Sequence, residues 1–280
     1  MPEGDTVFRA ARKLDAALGR SVLRRTDFRV PALATADLSG QTVEGVVSRG
    51  KHLLLRTDAG WTLHTHLKME GMWHVARSRD GRPPSRRLPM GTAPYDVRVV
   101  LETDRALALG IRLGIVELLR TADEETALGH LGPDLLGLDW DLAEALRRLR
   151  ADPGRAIGEA LLDQRNLAGI GNLYKNESLF LSGEHPWTAV GEVANLERMV
   201  ERARQMLRLG TAHAEQSTTG DTRKQGRHWV FERPGKPCRR CGTPIEVAHQ
   251  AREGETMPRL TYWCPHCQPG PRLLRPDRSS

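Results

Sequence analysis

The sequence predicts an α+β chain of more than one domain: a β-rich N-terminal part led by a helix, a helical C-terminal part, and a small metal-clamped hairpin appended to it. Three observations carry this. At 280 residues the chain can bury a sizeable core and favours two domains. Apolar residues alternate with a period of two through the first third and shift to a helical period from Leu142 onward. All four cysteines stand near the C-terminus as two pairs, Cys238-x-x-Cys241 and Cys264-x-x-Cys267.

The leading helix has Asp5 or Thr6 to cap it, an apolar face of Val7, Ala11, Leu14 and Leu18, and Gly19 to stop it. Alternation then predicts strands over Ser21–Val30, Thr42–Ser48, His52–Thr57, Trp61–Leu67, Asp96–Thr103 and Ala106–Leu119, forming a sandwich or barrel. Residues 77–94 gather Arg77, Arg79, Arg82, Arg86 and Arg87 among prolines and glycines, which marks a mobile surface loop. A linker over 123–135 precedes helices at Ile157–Gln164, Asn172–Leu181 and Val193–Leu209. The expected boundaries are 1–122 for the β-rich domain, 136–228 for the helical domain, 229–268 for the cysteine arm and 269–280 for a disordered tail. No internal repeat of solenoid spacing is present, and with aromatics at 5% the core must be aliphatic.

A Cys-x-x-Cys turn offers two thiolates to one metal ion without strain. Two such turns, here 22 residues apart, complete a closed tetrahedral site suited to one structural Zn²⁺. Disulfides would use the same four residues, but the chain has no membrane-length apolar run and no signal-peptide layout. A soluble cytoplasmic protein with metal-bound thiols is expected. A closed site does not catalyse; it fixes an arm too short to fold alone. Between Asp221 and Cys241 lie Arg223, Lys224, Arg227, Arg233, Lys236, Arg239 and Arg240, and the whole chain carries a formal +7 with a pI near 9.6. Basic residues beside Tyr262 and Trp263 read as a surface for a phosphate backbone. A solvated face in an arginine-rich chain fits the same composition.

Asn166–Gly171 joins two helices through Gly169 and Gly171, where freed N–H groups at a helix start make an anion site, though glycines also simply turn corners. Removal of Met1 would leave Pro2 as a terminal secondary amine with a pKa near 8, about a tenth of it unprotonated and nucleophilic at neutral pH. Such an amine can form a cationic Schiff base with an aldehyde, and Glu3 beside it can move protons. Proline is also a common second residue. His64 and His66 alternate on one strand face without an evident third metal ligand.

Taken in order, these residues carry a resemblance. Pro2-Glu3-Gly4-Asp5, Ser48-Arg49-Gly50-Lys51, His66-Leu67-x-Met69, His130-Leu-Gly-Pro133, Leu161-Leu-Asp-Gln164 with Ala168-Gly-Ile-Gly-Asn172, and Tyr262-Trp-Cys264-Pro-x-Cys267-Gln268 resemble the formamidopyrimidine-DNA glycosylase/endonuclease VIII family, in particular its actinobacterial endonuclease VIII type. The likeness runs from Pro2 to Gln268. It implies a β-sandwich domain, a helix–two-turn–helix domain and a zinc-finger hairpin, with damaged double-stranded DNA running between the domains. It implies a monomer that removes oxidised bases and nicks the abasic site, nucleoid-associated when bound.

By that resemblance Pro2 attacks C1′ of a flipped-out nucleotide and Glu3 donates the proton that releases the base. Lys51 contacts the lesion phosphate and donates a proton in β-elimination. Arg259 binds flanking phosphates and assists δ-elimination, and Asn172, His66, His130 and Arg112 bind the backbone. Lys68, Met69 and Glu70 match the position that fills the vacated stack. Cys238, Cys241, Cys264 and Cys267 hold the zinc. Many relatives have a glutamate at Thr6 and a lysine at Gly158. Relatives that excise 8-oxoguanine carry a long capping loop after Thr218-Thr219, where only nine residues precede Trp229, and an arginine at Ile111 that reads the opposite cytosine. Leu113 stands at their aromatic wedge. Oxidised pyrimidines are therefore the expected lesions. A non-catalytic zinc protein that binds damaged DNA shares every electrostatic feature, and only Pro2, Glu3 and Lys51 separate the two. A ribosome- or RNA-binding role has no RNA-recognition motif behind it.

Overall fold

The computed structural model describes residues 2–78, 82, 84–251 and 258–271. Met1, Arg79 and the tail from 272 lie outside the described residues. The chain forms two compact units that divide after Leu138.

In the first unit, helix α1 (Gly4–Leu18) is followed by strands β1 (Arg25–Phe28), β2 (Val43–Arg49), β3 (His52–Thr57), β4 (Trp61–His66), β5 (Met72–Arg77), β6 (Val97–Glu102), β7 (Ala106–Ile111) and β8 (Ile115–Arg120). They build two antiparallel four-stranded sheets, ordered β1-β6-β7-β5 and β2-β3-β4-β8. Alternate residues of both sheets meet in one core: Val46, Leu53, Leu55 and Leu63 from one, Trp73, Val99, Leu101 and Ala108 from the other. The expected sandwich is therefore present. The buried face of α1, with Val7, Ala11, Leu14 and Leu18, joins that core, and the helix contacts β2, β3, β5 and β7. On the far side of β6 and β7 a smaller cluster of Val97, Val100, Leu107, Leu109 and Ile111 packs against Leu88.

Three readings of the sequence differ from this. The α1 cap is Glu3, and Asp5 lies in the first turn, buried and paired with Arg9 at 3.1 Å. Met72–Arg77 is a strand that alternation had not marked. Ala106–Leu119 is two strands in different sheets, divided at Arg112–Gly114. Arg112 takes a left-handed φ of 48°, and a Cβ on Gly114 would collide with the Lys68 stem. The apolar alternation runs through this corner, so the pattern could not reveal it.

The segment after β8 packs on the outer face of the β2-β3-β4-β8 sheet. Helix α2 (Glu124–Leu128) holds Arg56 of β3 in a two-point ion pair at 2.8 and 2.6 Å, and Thr62 of β4 donates to the same carboxylate at 2.6 Å. Farther on, the buried Asp134 carboxylate accepts the Gly50 N–H at 2.8 Å and the Leu136 N–H at 3.0 Å.

The second unit contains α3 (Leu142–Arg150), α4 (Ile157–Leu162), α5 (Asn172–Ser182), α6 (Leu196–Gly210) and the antiparallel pair β9 (Glu246–Gln250) and β10 (Arg259–Trp263). Asp141 caps α3, and Asn195 caps α6 by accepting Arg198 N–H at 2.9 Å, which starts that helix three residues later than Val193. Helix α5 is buried on all sides from Asn172 to Phe180.

Candidate active site

Pro2 and Glu3 open α1. Glu3 is extended at φ −116° and is 1% exposed; its carbonyl accepts the Val7 N–H at 3.0 Å. This places a buried carboxyl directly beside Pro2 in the chain. Behind it, Arg9 bridges Asp5 and the Thr6 hydroxyl, at 3.1 and 3.3 Å.

Lys51 is the second residue of the two-residue turn between β2 and β3. Gly50, the first, has φ +57°, a conformation glycine adopts without steric cost, and Asp134 pins its N–H. Lys51 stands in the same field as His66 and Lys68. Burial first, then the charges of Lys68, Lys51 and His64, bring His66 down to about 4. His130, exposed on the segment after α2, bears in turn on His52.

The connection from β4 to β5 presents Lys68, Met69 and Glu70 to solvent, with Met69 58% exposed. Lys68 has a left-handed φ of 53°, and its stem packs over Gly114 beside Arg112, the other left-handed residue of this corner. Non-glycine residues in that region gather at functional sites. Arg112 is held by Asp96 at 2.9 Å and by the Gly91 carbonyl at 3.2 Å; the Asp96 hydrogen bond raises it and lowers its partner. Ile111 and Leu113 on either side are buried, at 2% and 0% exposure. Neither side chain is presented to solvent.

In the second unit the four cysteine sulfurs lie within 4.8 Å of one another, with Cys238–Cys267 at 4.0 Å and Cys241–Cys264 at 3.5 Å. Zn–S bonds near 2.3 Å place tetrahedral sulfurs about 3.8 Å apart, so the quartet fits that ion. The Cys267 N–H points at the Cys264 sulfur at 3.5 Å, and the Cys264 N–H is taken by Gln268 Oε1 at 3.0 Å. Among the described residues this is the one metal-sized cluster of histidine, cysteine and acidic groups; His64 and His66 do not form another.

Helix α5 carries the arm, a role the sequence reading missed. Asn172 Nδ2 donates to the Leu260 carbonyl at 2.8 Å, next to Arg259 at the head of β10. The buried Lys175 ammonium donates to Thr261 Oγ1 at 2.6 Å, and Asn176 Oδ1 accepts the Tyr262 N–H at 2.7 Å. Glu177, fully buried, accepts three backbone N–H groups, Trp229 at 2.8 Å and Val230 and Phe231 at 2.9 Å each, together with the Thr218 hydroxyl. The available signal was four polar residues at 172, 175, 176 and 177 in a helix whose neighbours are apolar.

One expectation for this unit changes, and one departure from the family pattern gains a physical reason. Gly169, at φ +103°, gives its N–H to Gln164 Oε1 at 3.1 Å, so that donor is used inside the loop. At Gly158 any added side chain would run into the Gln250 amide, which leaves no room for a lysine in this arrangement. Near them a cavity of about 220 Å³ is lined by Arg155, Arg165 and Arg259. Asp163 bridges the first two at 2.8 and 2.7 Å and is held far below the usual carboxylate range by them.

Comparison with known proteins gives a consistent result. The formamidopyrimidine-DNA glycosylase N-terminal domain matches residues 1–111, and the formamidopyrimidine-DNA glycosylase H2TH domain matches residues 131–221. The probable endonuclease 8 2 of Streptomyces coelicolor is 51% identical over 273 residues, 97% of this chain and 95% of its own. The DNA-(apurinic or apyrimidinic site) lyase Nei2 of Mycolicibacterium smegmatis is 48% identical over 268 residues, 96% of this chain and 99% of its own. The solved complex of Lactococcus lactis Fpg with DNA containing an abasic site has the same fold: TM-score 0.77 at 22% identity, covering 96% of this chain and all of that one.

Proposed function

Since the chain belongs to the formamidopyrimidine-DNA glycosylase/endonuclease VIII family, we propose that it is a base-excision-repair DNA glycosylase and abasic-site lyase acting through an N-terminal proline. The observation that carries this reading is the buried Glu3 carboxyl at the head of α1, next to the Pro2 amine. The names of the relatives support it from outside the chain: endonuclease 8 and DNA-(apurinic or apyrimidinic site) lyase.

The steps assign themselves to these residues. The Pro2 nitrogen attacks C1′ of the extruded nucleotide while the N-glycosidic bond breaks, and Glu3 delivers the proton that the departing base or opening sugar requires. Because proline is a secondary amine, the adduct is an iminium cation, which makes the C2′ proton acidic. Loss of that proton expels the 3′ phosphate, and a second elimination expels the 5′ phosphate. Lys51 neutralises the lesion phosphate and supplies a proton in the first elimination; Arg259 serves the flanking phosphates in the second. His66, His130, Arg112 and Asn172 hold the backbone, and Lys68, Met69 and Glu70 fill the gap in the stack. Cys238, Cys241, Cys264 and Cys267 hold one zinc ion, which supplies a fold constraint on the arm and no chemistry in the reaction.

Oxidised pyrimidines are the lesions this reading favours. Ile111 is a buried aliphatic residue and cannot hydrogen-bond to an opposite cytosine, and Thr218 and Thr219 are tied back to Arg227 and Gly226 in a tight loop rather than opening a long cap. The deciding experiment is borohydride reduction of the Met1-processed protein with a duplex carrying an abasic site. A covalent adduct mapped by mass to Pro2 is expected. Trapping of equal yield by protein that retains Met1 would remove the nucleophile assignment, and the absence of any adduct would leave the non-catalytic damage-binding alternative.

A further inference from the structure

The corner at Arg112–Gly114 spends its own apolar side chains inward. Leu113 fills the space over Gly110, where a Cβ would come within 2.5 Å of its Cδ1, and lies beside Trp73 and Val99 in the sandwich core. Ile111 packs with Val97 and Leu109 on the far side of the same sheet. What this corner offers to solvent comes instead from its neighbours. Met72 of β5 lies across from Ile111 of β7 and is half exposed. Met90 and Tyr95 belong to the segment that leads into β6; Met90 is fully exposed and Tyr95 is 86% exposed. None of the three has a part in the reading above.

Arg112 gathers them. Its Nη2 donates to the Gly91 carbonyl at 3.2 Å, next to Met90, and to Asp96 Oδ2 at 2.9 Å, next to Tyr95. The Arg112 N–H donates to the Asp96 carbonyl at 2.8 Å. The 3₁₀ turn that carries Tyr95, Pro94–Asp96, is held again where the Asp96 carboxylate accepts the Ala93 N–H at 2.9 Å. Arg29 donates to the Pro94 carbonyl at 3.4 Å, and the proline ring fixes φ just before the tyrosine. The backbone on both sides of Tyr95 is thus tied down. The ring itself makes no hydrogen bond or ring contact among the described residues. Glu70 of the connection from β4 to β5 and Tyr95 both bear on the Arg112 charge, so the ring shares this corner with Lys68, Met69 and Glu70. A single exposed hydrophobic residue is ordinary. A firmly mounted aromatic with Met72 and Met90 around one arginine is a surface prepared for a partner.

We propose that Tyr95 is a further DNA-binding residue, whose ring stacks on the unpaired base facing the extruded nucleotide and so sets the tolerance for the opposite base. The inference rests on the reading that damaged duplex DNA lies against Arg112 and Met69. Extrusion leaves the opposite base without a partner and with a face open to stacking. A hydrogen-bonding side chain at this corner would select one base, whereas an aromatic ring accepts all of them, because every base has a π-face. A ring already mounted on a fixed turn has only its two side-chain torsions left to settle, so little freedom is lost when the base arrives.

The test uses the full-length, zinc-loaded protein and duplexes that carry a tetrahydrofuran abasic-site analogue. The exposure of Tyr95 means that Tyr95→Ala and Tyr95→Phe should both fold as the parent does. Whichever base stands opposite the analogue, Tyr95→Ala should bind at least about five-fold more weakly than the parent, the low end of what one base–aromatic stack contributes, and Tyr95→Phe should bind as the parent does. When the opposite nucleotide also lacks its base, the difference between parent and Tyr95→Ala should vanish. A 2-aminopurine at the opposite position should fluoresce more in the Tyr95→Ala complex than in the parent complex, because stacking quenches it. Parent-like binding by Tyr95→Ala, a loss that persists without the opposite base, or an unchanged 2-aminopurine signal would overturn the inference. Borohydride trapping at Pro2 of the unaltered protein separates the two failures. An intact adduct with no effect at Tyr95 sinks the stack alone, and no adduct sinks the lyase reading.

Discussion

Glu3 combines two features in one position: it is the residue from which α1 starts, and it is buried next to Pro2 in the chain. Glu3→Gln should therefore lose excision of a damaged base while keeping much of the cleavage at a preformed abasic site, where no base has to leave; single-turnover assays on the two duplexes check this. Undiminished excision by the variant would remove the acid role. His52 and His66 give a second prediction. Both have folded values, about 3 and about 4, below the ordinary 6.5, so between those limits the unfolded chain binds more protons than the native one. Their contribution to stability is complete above pH 6.5 and is lost progressively as pH falls toward 4 and 3, with a slope of at most about 1.4 kcal/mol per pH unit for each proton. Denaturant melts of the parent and of His52→Gln across that range should show the slope reduced by about one proton in the variant. The cluster of Cys238, Cys241, Cys264 and Cys267 was legible because each pair is a short motif. The burial of Ile111 and the 2.8 Å approach of His52 Nδ1 to His64 Nε2 were not, because both depend on which residues neighbouring strands set side by side, and no motif records that register.

At the scale of elements, α5 departs from the amphipathic pattern that lets helices be read from sequence. It is buried on all sides, and its polar residues face the arm, where each finds a backbone or hydroxyl partner. Burial of a polar group costs little when it is fully bonded and much when it is orphaned. Glu177→Ala would orphan three N–H groups at once and should lower stability by about 3 kcal/mol or more, with weaker zinc retention, read from thermal melts and metal analysis. A neutral result would mean that the arm hangs from its cysteines alone. Strand β5 was invisible in the sequence because Met72 is half exposed and His74 and Val75 are only partly covered, which weakens the alternation. The corner at Arg112 was hidden for the opposite reason, since apolar residues continue straight through it.

For the molecule as a whole, Pro2, Glu3 and Lys51 belong to the first unit, while the residues proposed to hold the DNA backbone come from both: His66, Arg112 and His130 from the first, Asn172 and Arg259 from the second. Cys264→Ser should lose zinc and DNA cleavage together, because the strand that begins at Arg259 ends at the metal ligands. Arg259→Ala should keep its zinc, bind DNA more weakly, and lower the slope of log affinity against log salt by about one. Cleavage that survives loss of the metal would exclude the arm from the site. A panel of duplexes with each lesion opposite each base should show faster release of thymine glycol and dihydrouracil than of 8-oxoguanine, with little dependence on the opposite base. Faster 8-oxoguanine release tied to opposite cytosine would return the chain to the other branch of its family. Composition and the charge of +7 gave the nucleic-acid reading at this scale, and the motif order gave the family.

The polar residues of α5 also set an order of events during synthesis. Asn172, Lys175 and Asn176 leave the ribosome well before Leu260, Thr261 and Tyr262, their partners in the arm. Until the last cysteine pair is translated and metal closes the hairpin, the helix at the centre of the second unit has buried donors and acceptors with nothing to meet. A nascent chain stalled before Cys264 should be open to protease at α5, while one released in zinc-replete medium should be protected. Metal supply at the end of translation would then decide whether the whole second unit, and not only its finger, survives quality control.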